Sequence, residues 1–229
     1  MVRIVEAEPG TLLDRVFAGL LSSTFTRDEL GTVADLRASV EAGLSHVVVA
    51  LDDAGTPVGV AIGEWSRTTR IMLLAYLAVS PESRSGGIGS LLLSHAFELW
   101  RTGYAPRAIL AEIEHPAAFP ASPERGDPVA RLRFYARLGG KALPVPYFQP
   151  ALGPGRSRVY GLIFAVLWVG PDGAGARPGT LAAEPVRAYL REYLRETEGR
   201  VPNDPDTRAL FNALDGYPDG IPLVPFEAV

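Results

Sequence analysis

Apolar residues recur along this chain with two periods, and the switches between them mark its elements. Residues 1 to 7 alternate weakly, which predicts a short first strand. Leu13, Val16 and Leu20 fall at helical spacing and predict a helix over Leu12 to Thr26. Leu30, Val33, Leu36 and Val40 predict a second over Asp28 to Ala42, closed by Gly43. The β-branched run within His46 to Leu51 and the stretch Pro57 to Trp65 predict a hairpin around Asp53-Ala54-Gly55-Thr56. After a turn at Arg67 to Arg70, an apolar strand from Leu73 stops at Pro81. A glycine-rich turn follows, and then a helix to about Thr102 with the stripe Ile88, Leu92, Ala96 and Leu99.

The second half alternates in the same way. Ala108 to Glu114 predicts a strand, and His115 to Pro128 a loop rich in proline and small residues. Asp127 is a good N-cap with Pro128 in the first helical position, and the helix ends at Gly139-Gly140. Lys141 to Tyr147 and Arg158 to Val169 read as two more strands. A connector, Pro171 to Gly179, leads to a helix over Glu184 to Glu198 with Val186, Tyr189, Leu190, Tyr193 and Leu194 on one face. Asp204-Pro205 opens a last helix carrying Leu210, Phe211 and Leu214. The order β-α-α-β-β-β-α-β-α-β-β describes an α/β chain.

Composition narrows the function classes. The 229 residues, 47% of them hydrophobic, suffice for one large domain or a domain with an extension. A net charge of -4 leaves no basic footprint, so no nucleic-acid partner is expected. The absence of cysteine excludes disulfides, thiolate metal sites and cysteine nucleophiles. It also fits a cytoplasmic protein. The longest apolar run, near Val159 to Val169, is too short to span a bilayer, so no membrane association is expected. Met1 to Glu6 does not read as a signal peptide, and no metal site is expected.

The most informative stretch runs from Leu73 to Leu93. A strand, a tight turn and a helix N-terminus follow one another there. Such a turn aims unpaired backbone N–H groups at one point, and the helix dipole adds partial positive charge, so the site suits a phosphate. Gly86, Gly87 and Gly89 let the backbone approach an anion without Cβ atoms in the way. A Walker A loop would need a lysine at the helix start, and none is present. A dinucleotide fingerprint fails from Gly87, because Leu92 stands where the third glycine belongs. The pattern left is Arg-x-x-Gly-x-Gly, filled by Arg84, Gly87 and Gly89 and preceded by Leu77-x-Val79-x-Pro81.

That combination resembles the acyl-CoA loop of the GNAT superfamily of N-acetyltransferases. A second stretch, Arg131 to Gly140, resembles the family's Phe-Tyr pair ahead of a glycine, here Phe134-Tyr135 and Gly139. The family more often has Gly-Phe after this helix, and Gly140 departs from that. The resemblance covers roughly residues 1 to 170, and residues 171 to 229 then read as an extension packed on the same domain. That extension has three candidate roles: to cover the sheet, to cap the acceptor site, or to form a homodimer contact.

The resemblance implies the acyl-CoA N-acyltransferase fold, a mixed central sheet splayed between the fourth and fifth strands, with a helical C-terminal extension. It implies acetyl transfer from acetyl-CoA, as co-substrate, to a small-molecule amine or a peptide amine. Phosphates would sit on Arg84, Ser85, Gly86, Gly87, Ile88, Gly89 and Ser90, and the main chain of Leu77, Ala78 and Val79 would bind the pantetheine arm and the oxyanion. Tyr135 would protonate the departing CoA thiolate, since a phenol with a pKa of about 10 keeps its proton at neutral pH.

An amine arrives as a cation and must lose a proton. Glu112 and Glu114, two apart on a strand, share a face and are the candidates to take it; a solvated strand end or an ion pair with a nearby arginine is the competing role. Tyr147-Phe148-Gln149-Pro150 either lines the acceptor pocket or packs. His46 has no partner in the sequence and reads as structural. Two other classes stay open: a CoA-binding regulator without turnover, and a nucleotide-phosphate module on the same helix N-terminus.

Overall fold

The computed structural model describes residues 2–84, 86–122 and 125–229. Their contacts divide into two compact units. The first holds residues 2–65, 72–105 and Arg125; the second holds 66–71, 106–122 and 126–229.

In the first unit, β1 (Arg3–Glu6) leads to a helical stretch made of α1 (Thr11–Val16), a π turn (Phe17–Leu21) and α2 (Ser22–Thr24). A single uninterrupted helix was the expectation. The wider turn arises where the Ser22 N–H and hydroxyl both bind the Phe17 carbonyl, five residues back. The next helix is shorter than its periodicity suggests, because α3 (Val33–Glu41) starts only at a capping box between Thr32 and Asp35. Thr26 to Leu30 forms a separate turn closed by the Glu29 carboxylate on the Thr26 N–H and hydroxyl.

β2 (Ser45–Leu51) pairs antiparallel with β1 and with β3 (Pro57–Ser66), and β4 (Ile71–Val79) follows β3 in strand order. Val47, Val49, Val60 and Ile62 share a core with Leu13, Val16, Leu20, Leu21 and Leu36.

α4 (Ile88–Gly103) buries Ile88, Leu92, Leu93, Ala96 and Trp100. Trp100 takes the place expected of Leu99, which stays half-buried. Two glycines of β3 set how closely this helix lies. A Cβ on Gly59 would stand 2.9 Å from Leu92 Cδ1, and one on Gly63 would stand 2.6 Å from Trp100 Cζ2. Gly63→Ala is therefore expected to cost about 1–3 kcal/mol by overpacking, read from urea unfolding. Wild-type stability would show that the indole shifts freely. His46, alone in the sequence, accepts from Trp100 Nε1 at 2.9 Å through Nδ1 and meets Glu6 at 2.6 Å through Nε2.

The second unit holds β5 (Ala108–Glu114), α5 (Pro128–Arg137), β6 (Lys141–Ala142) and β7 (Leu162–Val169), with β7 antiparallel to both other strands. The sixth strand is far shorter than the expected 141–147. Pro144 and Pro146 have no N–H for a ladder, and the Leu143 N–H to Phe164 carbonyl bond is the last rung. β7 likewise begins four residues late, because Arg158 is held elsewhere and Gly161 turns with a φ of 74°.

Residues beyond 170 all belong to this unit. β8 (Thr180–Leu181) pairs with β9 (Ile221–Pro222). α6 (Ala183–Glu198) buries the expected stripe, and α7 (Pro205–Asp215) starts on the expected cap, Asp204. Among the described residues, no helix is long and apolar enough to cross a membrane.

Candidate active site

The glycine loop lies in the first unit. β4 alternates along its C-terminal half: Tyr76 and Ala78 are buried, while Ala75, Leu77 and Val79 are half-buried. Ser80 N–H binds the Val58 carbonyl at 2.9 Å, which ends the strand on its neighbour. A turn of 3-10 helix, Pro81–Ser83, follows. Arg84 is then drawn back over the strand end, its Nε donating to the Val79 carbonyl at 3.4 Å. Ser85 lies outside the described residues.

Gly86 and Gly87 are exposed, Ile88 is buried beneath them, and Ser90 is exposed. Gly87 caps α4 with a φ of 77°, a left-handed conformation that glycine adopts without strain. Among the described residues, no side chain caps this N-terminus. α3, α5 and α7 differ, since Thr32, Asp127 and Asp204 bind their first amides. A Cβ built on Gly87 would meet none of the described residues within 4 Å. The first amides of a 16-residue helix have no carbonyl one turn earlier, and the positive end of the helix dipole lies at this terminus. These residues fit a phosphate-bearing ligand.

The candidate acid and bases lie in the second unit. Tyr135 sits on α5, 5% exposed, with its ring edge-on to Phe134 at 5.1 Å. Burial pushes its hydroxyl up to about 12, with the Arg131 charge pulling the other way, so at neutral pH it is a donor. Gly140 is explained by packing: a Cβ there would stand 2.8 Å from the Tyr135 carbonyl.

Glu112 and Glu114 lie on β5 with different surroundings. Glu114 is buried, 7% exposed, and ion-paired with Arg131 of α5. Glu112 is half-buried and accepts from the Tyr147 hydroxyl. Tyr147 in turn lies flat on Phe164, with centroids 4.2 Å apart and planes 5° apart. Burial, and after it the Glu112 charge, pushes the Tyr147 hydroxyl well above its ordinary value, so it stays a donor. Sequence reasoning left Tyr147 between a lining and a packing role and found no partner for Glu112. The one local hint is the pair of prolines that takes Tyr147 out of the sheet.

A third polar cluster, unforeseen in the sequence, ties the end of α6 to the start of α7. Arg158 Nε and Nη2 each bind Glu198 at 2.8 Å, and Nη1 binds Asp204 at 2.9 Å. Its guanidinium lies 4.3 Å over the Phe148 ring. Asp204 is held far below the usual carboxylate range by the Arg158 hydrogen bond, against desolvation, with Thr207 adding to it. For Glu198, desolvation pushes upward, but bonds from Arg158 and the Ala151 N–H outweigh it and the net shift is down. Among the described residues, no group of three acidic or histidine side chains is placed to hold a metal.

Comparison with known proteins agrees with the order of elements. Residues 43–139 match the family model of the acetyltransferase (GNAT) domain. A GNAT-family structure from Bacteroides thetaiotaomicron is similar at 22% identity and a TM-score of 0.60, over 84% of this chain and 96% of that one. An acetyltransferase of the GNAT family from Staphylococcus aureus Mu50 is similar at 13% identity and a TM-score of 0.52, over 73% and 100%. The ribosomal-protein-S18-alanine N-acetyltransferase from Escherichia coli is similar at 20% identity and a TM-score of 0.50, over 74% and 95%. No curated protein matches the chain by sequence. The fold is that of the GNAT acyl-CoA N-acyltransferases, a mixed α/β architecture, and residues 43–139 of it carry the match to the acetyltransferase (GNAT) domain.

Proposed function

We propose that the protein moves an acetyl group from acetyl-CoA to an amine by direct attack, with its own side chains handling both protons. The observation that carries this is the N-terminus of α4 behind a left-handed Gly87, which no side chain among the described residues caps. The amides from Gly86 to Ser90 hold the phosphates, and Arg84 adds charge. Leu77, Ala78 and Val79 bind the pantetheine arm through their main chain. Acetyl-CoA, when bound, supplies the activated acetyl group and a thiolate leaving group. Glu112 takes the proton that the attacking amine must lose. It is preferred to Glu114 because it is the more exposed of the two and because Glu114 is ion-paired with Arg131. Tyr135 gives its hydroxyl proton to the departing sulfur and is protonated to do so. Residues 1 to 170 are the acetyltransferase domain in this proposal, and 171 to 229 an extension of it.

The acceptor is an amine on a small molecule or a peptide. Binding is tested first. Acetyl-CoA and desulfo-CoA should both raise the melting temperature, since the cradle sees phosphates, while ATP and NAD should not. Gly87→Val places a branched side chain in the strained left-handed region, over the phosphate position. It should weaken acetyl-CoA binding about tenfold or more, a loss of about 1.4 kcal/mol at least, with the fold retained. Stabilisation by NAD or ATP and by no CoA would overturn the proposal. Turnover is read as CoA thiol release with spermidine, phenethylamine and an alanine-ended tetrapeptide as acceptors; binding without release in any of them would favour a CoA-binding regulator.

A further inference from the structure

The Tyr147 hydroxyl is committed to one carboxylate by an arrangement built for that end. Phe164 stands directly opposite Glu112 in the β5–β7 register, so the two side chains leave the sheet on the same face. The chain leaves the sheet after Leu143 and brings Tyr147 back over Phe164. Both rings are buried, Tyr147 at 6% exposed and Phe164 at 1%. A ring stacked at 4.2 Å and 5° in such packing has little freedom, so the direction of its hydroxyl is fixed. That hydroxyl donates to Glu112 Oε1.

Taking the base role of Glu112 as given, we propose that Tyr147 is a positioning residue that holds the Glu112 carboxylate in the direction from which it takes the acceptor's proton. A carboxylate on a half-exposed strand end otherwise samples several rotamers, and a displacement of about 1 Å is worth up to about 10²-fold in rate. A packing role alone would need only the ring. The hydroxyl, buried and aimed at the one half-exposed acid of the pair, is the feature that packing leaves unexplained.

Tyr147→Phe keeps the ring on Phe164 and deletes the hydroxyl. With the fastest of spermidine, phenethylamine and an alanine-ended tetrapeptide as acceptor, kcat should fall about tenfold or more, the scale of a hydrogen bond to a charged group. The KM for acetyl-CoA should not change. In a Glu112→Gln background the same change should cost little further, because the group it serves is gone. Equal losses in both backgrounds, or wild-type kcat of Tyr147→Phe beside a slow Glu112→Gln, would overturn this inference and leave the base role standing. Wild-type turnover of Glu112→Gln would remove the base role and this inference with it. Thermal melts of each variant, with desulfo-CoA as a probe of the intact cradle, keep a folding defect from being read as a kinetic one.

Discussion

Glu112→Gln is expected to lower turnover by about 10²–10⁴-fold at neutral pH, the range of general acid–base catalysis. Glutamine keeps the size of the side chain and an oxygen that accepts from Tyr147, so packing around Phe164 should survive. What it loses is the ability to take a proton. The deficit should be largest at acidic to neutral pH, where the acceptor is almost all ammonium. It should shrink at high pH, where solvent deprotonates the amine and the base has less to do. Tyr147 does not confuse that profile, because burial and then the Glu112 charge keep its proton on across the range. Glu114→Gln should behave differently, with its main effect on stability through the Arg131 pair. The measurement is kcat against pH for both variants. A Glu112→Gln profile that overlays wild type would assign Glu112 to solvation of the strand end.

Arg158→Leu is expected to destabilise the protein by about 3–5 kcal/mol at neutral pH, the cost of breaking a largely buried ion pair from one side. Arg158 and Glu198 have side chains 14% and 13% exposed, so neither is well screened by water. Losing the guanidinium leaves Glu198 desolvated with no cation, and leaves Asp204 with only its cap bonds to Asp206, Thr207 and the Thr207 hydroxyl.

The pH dependence has a definite sign. Both carboxyls have native pKa values below their unfolded ones, so their contribution is present above about pH 4 and is lost as pH falls below it. The gap between wild type and Arg158→Leu should therefore narrow in acid. Urea unfolding at neutral pH and in acid reads both parts. A neutral-pH deficit under about 1 kcal/mol, in the range of surface pairs, would mean that the cluster is solvated in solution.

Local chemistry alone was enough for most of the elements and for the glycine loop between a strand and a helix. The strand ending at Val79, the Arg84–Gly89 pattern and the helix from Ile88 depend on near neighbours, and so do the caps Asp127 and Asp204 and the stripe of α6. Caps, left-handed glycines and helical stripes are set by spacings of two to four residues, which a sequence displays directly. Where local signals competed, the pattern misled. Helical periodicity ran through Leu30 although Thr32 and Asp35 restart the helix, and apolar character ran through Tyr147 although two prolines had already closed the ladder.

The partners of the polar groups were decided only in three dimensions. Glu112 meets Tyr147 across 35 residues of chain, His46 meets Trp100 across 54, and Arg158 meets Asp204 across 46. Gly59 and Gly63 read as ordinary strand glycines until α4 lies on them. A side chain's type states what it can donate, accept or bury. Which group it meets is set by the register of β5 on β7, the closeness of α4 to β3 and the path of the chain after Leu143. Those are properties of packed elements, and no short window of sequence contains them.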